Sequence, residues 1–509
     1  MTTTVREVER KYDVEPAFRL PDLGGLPGVH AVAAPHEQEL SATYFDTPDL
    51  RLASHSVTLR RRTGGDDAGW HLKLPVADGE REEVRLPLGR AVRTPPRELR
   101  TRVEAYLRGG PLVPVVGLAT RRTAYRLLGE DDRVLAEVAD DSVTATDLSG
   151  SDGAAAKAWR EVEVELVEGG RKLLDAAGGL LTEAGATPGS SGSKLARALA
   201  DRRRAPDPGP ELPAKSAAAV VLAHLREQVA RLQSLDPKVR AAEPDSVHQM
   251  RVTIRRLRSA LATFRPLFDR SVTEPVREEL KWLGGVLSAA RDTEVVCERL
   301  LAAVQAEPPE LVLGPVAARV RTTLNTRHRE AMADVRVALS DQRYFDLLET
   351  LDRLLVAPPL SDRAADSAKA VLRKRTRAAW RRTRRAADRA AGADLAAGDR
   401  DAALHEVRKA AKRARYAAET ARPVIGKPAK SFARRMKAVQ KLLGEHQDTV
   451  VTRAELRQLG VQAHLAGENG FSFGRLHGLE QARAERAEQA YPEVWHAAAR
   501  RRRRRWMRR

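Results

Sequence analysis

Charged residues alternate with apolar ones in five segments of the first 200 residues. Side chains of a β-strand point alternately to opposite faces, so each segment predicts a strand with one ionic and one apolar face. Clustered carboxylates suit Mg²⁺ or Mn²⁺, and clustered Lys and Arg suit phosphate oxygens. A site that holds both kinds of group could bind a metal–polyphosphate complex. The alternating ionic positions are Glu7, Glu9, Lys11, Arg60, Arg62, His71, Lys73, Arg81, Glu83, Arg85, Glu161, Glu163 and Glu165.

These ionic faces need a common place in the fold. A solvated sheet surface would explain any one strand, but five strands with the same alternation favour a closed sheet whose ionic faces converge on a lumen. The apolar faces would then be covered by helices outside. The chain has no G-x-x-x-x-G-K-[ST] motif, so a P-loop route to nucleotides is unsupported.

The elements that would carry this lumen are short strands bounded by Gly, Pro and Asp. Helical patterns are predicted at Arg97–Leu107 and Arg171–Ala184. The predicted strands are Val5–Val14, Val57–Arg62, Trp70–Pro75, Glu82–Leu88, Arg122–Leu128, Val134–Ala139 and Trp159–Val167.

The same segments resemble the motifs of one known family. EVERK at Glu7–Lys11 resembles the E-x-E-x-K signature of the CYTH, or triphosphate tunnel metalloenzyme, superfamily. The resemblance spans about residues 1–200 and implies an α+β domain, an antiparallel β-barrel (tunnel) with flanking helices, which hydrolyses or transfers phosphoryl groups with Mg²⁺ or Mn²⁺. Matching segments follow at Tyr44–Leu52, Thr58–Arg62, His71–Pro75, Arg81–Leu86, Arg121–Leu127 and Arg160–Leu166.

The resemblance also implies roles for individual residues. Glu7, Glu9 and Lys11 match the catalytic signature, and Glu7 and Glu9 with Glu161 and Glu163 match the metal-organising acids. The phosphate-binding cations would be Lys11, Arg60, Arg62, Lys73, Arg122 and Lys194. Further tunnel positions that the register leaves open are Glu83, Arg121, Asp140 and Glu165.

A proline-rich segment separates this region from a second one of different character. Residues 201–214 contain four prolines and predict an interdomain linker. From about Ser216, long runs of Ala, Leu, Arg and Glu with helical periodicity predict a separate all-α domain over residues 215–509. We expect its two halves to cover about 216–360 and 361–509, with an Arg-rich tail that could be a solvated helix end or a further polyanion contact.

The helical region contains an internal repeat. His248, Arg251, Arg255 and Arg258 have the same spacing as His405, Arg408, Lys412 and Arg415, and these offsets lie within an arc of about 80° on a helix. Lys281 precedes Asp292 by the same 11 residues that separate Lys437 from Asp448. The histidines are 157 residues apart (405 − 248) and the aspartates 156 (448 − 292), which indicates duplication.

This repeat resembles the CHAD, or conserved-histidine α-helical, domain over about residues 211–509. The resemblance implies two pseudo-symmetric helical bundles around a basic cavity that binds inorganic polyphosphate. We expect Asp292 and Asp448 to orient neighbouring cations. The residues that would contact polyphosphate are His248, Arg251, Arg255, Lys281, His405, Arg408, Lys412, Arg415 and Lys437, with Arg256, Arg258 and Arg413 as secondary contacts.

The charge balance agrees with this division. The 509 residues carry a net charge of +20, of which residues 1–200 hold −4 (27 Lys and Arg, 31 Asp and Glu) and residues 201–509 hold +24. The one cysteine, Cys297, excludes a disulfide framework and fits a reducing compartment. No apolar run approaches the ~20 residues of a membrane span, so we expect a cytoplasmic protein. Association with polyphosphate granules would be compatible with that location.

Three functions are compatible with the sequence. The first is metal-dependent hydrolysis of inorganic triphosphate or related chains, with the helical domain tethering polyphosphate. The second is a non-catalytic polyphosphate-binding or targeting protein. The third is nucleic-acid binding, against which the aromatic content of 4% argues, because few rings are available for base stacking. The oligomeric state stays open.

Overall fold

The computed structural model describes residues 3–77, 80–89, 94–149, 156–202, 212–392 and 397–507. The chain forms two compact units, Met1–Asp207 and Pro208–Arg509. Most of the predicted linker, residues 203–211, lies outside the described residues.

The first unit is built on one antiparallel sheet. Its described strands are β1 (Thr3–Val14), β2 (Ala31–Val32), β3 (His36–Asp46), β4 (Thr58–Thr63), β5 (Gly69–Ala77), β6 (Glu80–Leu86), β7 (Val113–Leu128), β8 (Val134–Asp147), β9 (Lys157–Leu166) and β10 (Thr187–Pro188).

Eight of the described strands close into a barrel. The order around it is β1-β6-β5-β4-β3-β7-β8-β9, and β9 pairs again with β1. The register places Glu7 opposite Arg81 on one side of β1 and Lys11 opposite Glu163 on the other. This closure confirms the predicted antiparallel β-tunnel, because the ionic faces now line an interior.

Helices cover parts of the outer, apolar face. Leu174 and Leu181 of one helix pack against Val162 and Val164 of β9, and Leu99 belongs to a separate cluster with Trp70 of β5. The flanking helices are α1 (Arg51–Ser54), α2 (Arg97–Arg102), α3 (Glu104–Leu107), α4 (Arg171–Glu183) and α5 (Lys194–Ala198).

The predicted elements of this unit differ from the observed ones in several places. Strand β7 begins at Val113 and not at Arg122, and β8 ends at Asp147 and not at Ala139. Strand β3 was not predicted, because its lumen-facing side carries Leu40, Ala42 and Tyr44 and so shows no alternation of charged residues. The helical pattern at Arg97–Leu107 is divided in two at Val103.

The second unit is helical throughout its described secondary structure, as predicted. Ser216 caps the first helix, and its hydroxyl accepts a hydrogen bond from the Ala219 amide. The helices are α6 (Ala217–Arg240), α7 (Ser246–Thr263), α8 (Arg270–Gln305), α9 (Val316–Leu339), α10 (Gln342–Val356), α11 (Ala368–Ala390), α12 (Ala397–Ile425), α13 (Lys427–Leu465) and α14 (Phe471–Ala499), joined by short 3₁₀ turns.

These helices form two bundles that correspond to the two halves of the repeat. Helices α6–α10 pack together in the first half and α11–α14 in the second. Between the halves, α7 contacts α12, and α8 and α9 share a hydrophobic core with α13 and α14. The second bundle has a core that includes Trp380, Phe432, Met436 and Tyr491. Among the described residues, no helix has the length and apolar character needed to cross a membrane.

Candidate functional site: an ionic tunnel and a basic helical face

The interior of the barrel holds a polar cavity of about 250 Å³. Alternate residues of the closed strands point into it, so acidic and basic side chains share one enclosed space. The predicted residues that line it are Glu7, Glu9, Lys11, Arg60, Arg62, Lys73, Arg122, Glu163, Glu165 and Lys194.

Three buried carboxylates meet at Lys194, although only Glu163 of the three lines the cavity itself. One oxygen each from Asp141, Glu161 and Glu163 lie within 4.8 Å of one another. Lys194 Nζ contacts all three, at 2.9, 2.8 and 2.6 Å respectively. Burial opposes a charged Lys194, but the neighbouring acids Asp141 and Glu163 raise its pKa. The lysine therefore holds together acids that would otherwise repel each other.

Nearby lysines offset the repulsion among the three glutamates of strand β9. Lys11 Nζ also contacts Glu163 and lies 3.2 Å from Glu9 Oε2. Burial would raise the pKa of Glu163, but Lys11 and Lys194 hold it well below its usual range. Glu165 has weaker compensation, and burial raises its pKa.

A second ionic group surrounds Glu7. Lys73 Nζ lies 2.6 Å from Glu7 Oε2, and His71 Nδ1 lies 2.8 Å from Glu83 Oε1. Burial raises the pKa of Glu7 to about 7 despite the opposing charge of Lys73. For Glu83, burial is outweighed by the hydrogen bond to His71 and by Lys73, and its pKa is lowered.

Arginines complete the wall of the cavity. Arg122 makes a two-pronged contact with Asp141 at 2.8 and 2.7 Å, which suits the fork of a guanidinium. Arg60 Nη1 lies 3.3 Å from Tyr44 Oη, and Arg62 Nη1 lies 2.9 Å from Asp67 Oδ2.

Arg62 has the weakest electrostatic support of these arginines. Its pKa is lowered to about 10, first by burial and then by the nearby Arg60. A phosphate group between the two guanidinium groups would relieve this repulsion.

Of the four positions left open by the sequence, Glu165 lines the cavity and Glu83 is buried beside Lys73, whereas Arg121 and Asp140 lie on the outer face. Arg121 is exposed on the outer face of β7 and Arg122 takes the interior position, because adjacent residues of a strand face opposite ways. The expectation for Asp140 was likewise wrong by one residue. Asp140 pairs on the outside with Arg160 at 2.6 Å, and Asp141 points inward.

Sequence reasoning missed several interior residues. Asp141 could have been found from strand pairing, since it lies directly opposite Arg122 in the β7–β8 register. Arg81 and Arg85 lie on the ionic face of β6 and line the cavity, although the family resemblance implied no role for them. Tyr44 lies in an uncharged strand face and carried no comparable signal.

The donor chemistry of the cavity fits a divalent metal together with a phosphate chain. Carboxylate oxygens from β1, β8 and β9 are hard ligands of the kind that Mg²⁺ and Mn²⁺ take. Lysines and arginines on the same walls are suited to phosphate oxygens.

In the helical unit, one cationic surface spans the two bundles. We call it the basic face and define it by residues of α7 and α12, namely His248, Arg251, Arg255, His405, Arg408, Lys412 and Arg415. Helices α7 and α12 are in contact, so the two copies of the repeat lie side by side.

Lys412 has a strongly lowered pKa on the basic face. Burial, followed by the charges of Arg255 and Arg408, lowers its pKa to about 7. The pKa of Arg408 is also lowered, again by burial and by Arg255, with Asp448 opposing the shift. Cations that repel one another across two helices form an electrostatic arrangement that a polyanion would stabilise.

Neighbouring acids organise part of this surface. Arg251 Nη1 lies 2.8 Å from Asp292 Oδ1 and Arg251 Nη2 lies 2.9 Å from Ser288 Oγ. Arg256 contacts Glu419 at 3.4 Å.

The two predicted lysines on α8 and α13 are more peripheral. Lys281 is 62% exposed and lies 2.9 Å from Glu278 of its own helix, while Lys437 is exposed. Within the described residues, Lys281 forms no ion pair with Asp292, and Lys437 forms none with Asp448. Burial lowers the pKa values of Arg258 and Arg413, and the positive charge of Arg277 lowers both further.

Comparisons with known proteins agree with both halves of this description. The CYTH domain model matches residues 5–199, and the CHAD domain model matches residues 223–457. An uncharacterized protein of Mycobacterium tuberculosis is 40% identical over 497 residues, which cover 95% of this chain and 94% of that protein. The chain therefore belongs to the family of proteins in which a CYTH domain is followed by a CHAD domain.

Other similarities cover smaller parts of the chain. Thiamine-triphosphatase of Macaca fascicularis is 41% identical over 75 residues, which are 14% of this chain and 28% of that protein. The structure titled PptA from Streptomyces chartreusis covers 55% of this chain and 99% of its own, at 22% identity and a TM-score of 0.47. The CHAD domain of the plant Ricinus communis covers 58% and 97% respectively, at 26% identity and a TM-score of 0.45.

Proposed function

We propose that the tunnel hydrolyses inorganic triphosphate or related polyphosphate chains and that the helical domain binds inorganic polyphosphate. Membership of the CYTH–CHAD family supports a triphosphatase-type tunnel, as does the similarity to a thiamine-triphosphatase. The observation that carries the proposal is the interleaving of buried carboxylates with lysines and arginines around one 250 Å³ cavity.

In this proposal the acids hold Mg²⁺ or Mn²⁺ and the cations hold the phosphate chain. Glu7, Glu9, Glu161 and Glu163 are the proposed metal ligands, and Asp141 joins them because it lies in the same carboxylate cluster. A bound divalent ion would neutralise charge on the reacting phosphoryl group. Arg60, Arg62, Lys73 and Arg122 would bind and orient the phosphate oxygens.

Lys11 and Lys194 have a second task in the cavity. Both lie against Glu163, so they hold the neighbouring acids close together and keep the pKa of Glu163 low. When a phosphate chain enters, the same ammonium groups can donate to its oxygens without leaving the site. Preorganised charge of this kind is the largest contribution in many phosphoryl-transfer enzymes.

The helical domain is proposed to hold longer chains on the basic face. Its cations depress each other's pKa values, as seen for Lys412 and Arg408, and a linear polyanion would relieve that repulsion. Tethering a chain would raise the effective concentration of chain ends near the tunnel, to about millimolar for a short connection.

A phosphate-release screen tests the catalytic part of the proposal. Triphosphate, long polyphosphate, ATP and thiamine triphosphate are incubated with the full chain and Mg²⁺ or Mn²⁺. We expect release from triphosphate, loss of release in Glu9→Gln, and normal release in the control Glu39→Gln, whose side chain is exposed. No release with either metal would contradict the proposal.

The second candidate is a polyphosphate-binding or targeting protein without turnover, favoured by the mutual repulsion of cations on the basic face. Tight polyphosphate binding with no phosphate release would support it. Competition between polyphosphate and DNA at physiological salt separates both candidates from a nucleic-acid binder, because salt dependence alone is common to all polyanions.

A further inference from the structure

A third cluster of ionisable residues lies in the second helical bundle, apart from the residues of the basic face. Asp401 of α12, His446 of α13 and Glu488 of α14 each offer one ligand atom, and these three atoms lie within 4.8 Å of one another. Asp401 Oδ1 lies 3.2 Å from His446 Nε2, and Glu488 Oε1 lies 3.0 Å from the same nitrogen.

Hydrogen bonding alone does not account well for this convergence. One imidazole nitrogen carries at most one proton, yet two carboxylate oxygens approach it. Neighbouring ligands around an ion with bonds of about 2.1 Å are separated by roughly 3.0–3.4 Å. The two spacings from His446 Nε2, 3.0 and 3.2 Å, fall within this range.

The outer oxygens of both carboxylates face arginines. Arg453 Nη2 lies 3.6 Å from Asp401 Oδ2, and Arg400 Nη1 lies 3.7 Å from Glu488 Oε2. Ligating carboxylates are commonly oriented in this way by outer partners. The imidazole is itself held in place, since His446 is only 1% exposed.

The internal repeat shows that this cluster is not part of the duplicated polyanion surface. At the repeat offsets, Asp401 corresponds to Pro244 (401 − 157) and His446 to Ala290 (446 − 156). The first half thus keeps the basic residues but lacks two of the three ligands. Polyanion binding, which we assign to residues present in both halves, gives no reason for a buried histidine between two acids in one half.

We propose that Asp401, His446 and Glu488 bind a divalent transition-metal ion, Zn²⁺ or Mn²⁺. One imidazole and two carboxylates form a mixed nitrogen and oxygen set, which suits these ions better than Mg²⁺. Because the ligands come from three helices, the ion links α12, α13 and α14. Three protein ligands also leave a coordination position for water.

The test measures metal content in the full chain. To remove the proposed tunnel metal, the background protein carries Glu9→Gln and Glu163→Gln. Equilibrium dialysis against Zn²⁺ or Mn²⁺, followed by elemental analysis, should give one bound ion per chain. Adding His446→Ala, which copies Ala290 of the first half, should abolish this binding, whereas His464→Ala at an exposed position of α13 should retain it.

Two further measurements guard against loss of folding. Glu488→Gln is a milder change that should weaken metal binding at least tenfold while leaving the circular dichroism spectrum unchanged. The bound ion should raise the Tm of the background protein by several degrees, because it binds only the folded chain. Failure of the background protein to bind either ion, or equal binding after His446→Ala, would overturn the proposal, whatever the tunnel does to triphosphate.

Discussion

In the β-tunnel, Lys11, Lys194 and Arg122 each contact buried carboxylates, whereas on the basic face Arg255 and Arg408 act on the neighbouring cation Lys412. The tunnel raises the pKa of Lys194, while the basic face lowers that of Lys412 to about 7. Burial acts against the charged lysine in both places, so the neighbours decide the direction.

This difference fits two kinds of ligand. A cavity whose acids and bases are already balanced can accept a metal cation and a phosphate anion together without a large change in net charge. A surface of mutually repelling cations instead favours an anion that brings its own excess of negative charge. The following experiments test that contrast, beginning with the largest expected effect.

Glu163→Gln should lower phosphate release from triphosphate by at least about 100-fold. The carboxylate of Glu163 is contacted by Lys11, Arg122 and Lys194, so its neutralisation disorganises three cations at once. Steady-state phosphate assays give the rate, and polyphosphate binding by the same variant should be unchanged. Equal loss of both functions would show that the two regions are not separable.

Asp141→Asn should lower phosphate release about tenfold or more, and Asp140→Asn should change it by less than about twofold. Only Asp141 belongs to the buried carboxylate cluster, while Asp140 forms an outer ion pair with Arg160. Adjacent residues of identical type make this a matched pair. A larger effect at Asp140 would contradict the register of β8.

Combined Arg251→Ala and Arg408→Ala should weaken polyphosphate binding at least about tenfold and reduce its salt dependence by about two counterions. Fluorescence competition over a range of salt concentrations measures both quantities. The control is Arg475→Ala, a partly exposed arginine that pairs with Glu307. Triphosphate turnover should be the same in all three proteins, and a tenfold loss of turnover would argue against separate binding and chemistry.

Polyphosphate affinity should fall about threefold to tenfold between pH 6 and pH 8. Lys412 has a pKa of about 7, so it is charged at pH 6 and largely neutral at pH 8, while the nearby Arg251, Arg255, Arg408 and Arg415 keep their charge. His248 and His405 have lowered pKa values and contribute less charge in this range. In Lys412→Met, polyphosphate affinity should change little between pH 6 and pH 8. If the pH dependence is the same as in the unmodified protein, a group other than Lys412 causes it.

Much of the tunnel could be predicted because alternation along a strand is a local property. The positions of Glu7, Glu9 and Lys11 on one face follow from the sequence alone, and so do those of Arg60 and Arg62. Strand β3 could not be found in this way, since its inward residues are mostly uncharged. The adjacent pair Asp140 and Asp141 offers an acid at either parity, so only pairing with Arg122 decides which one faces the lumen.

The sequence by itself determined the two-part organisation, the ionic strand faces and the duplicated cationic helices, because each depends on neighbours within a few residues along the chain. Tertiary structure decided which acids meet around Lys194, that Lys412 lies half-buried near arginines, and that Asp401, His446 and Glu488 converge from three helices. Those features depend on desolvation and on contacts between residues far apart in sequence. Neither the burial of a residue nor its distant contacts can be deduced from a local sequence pattern.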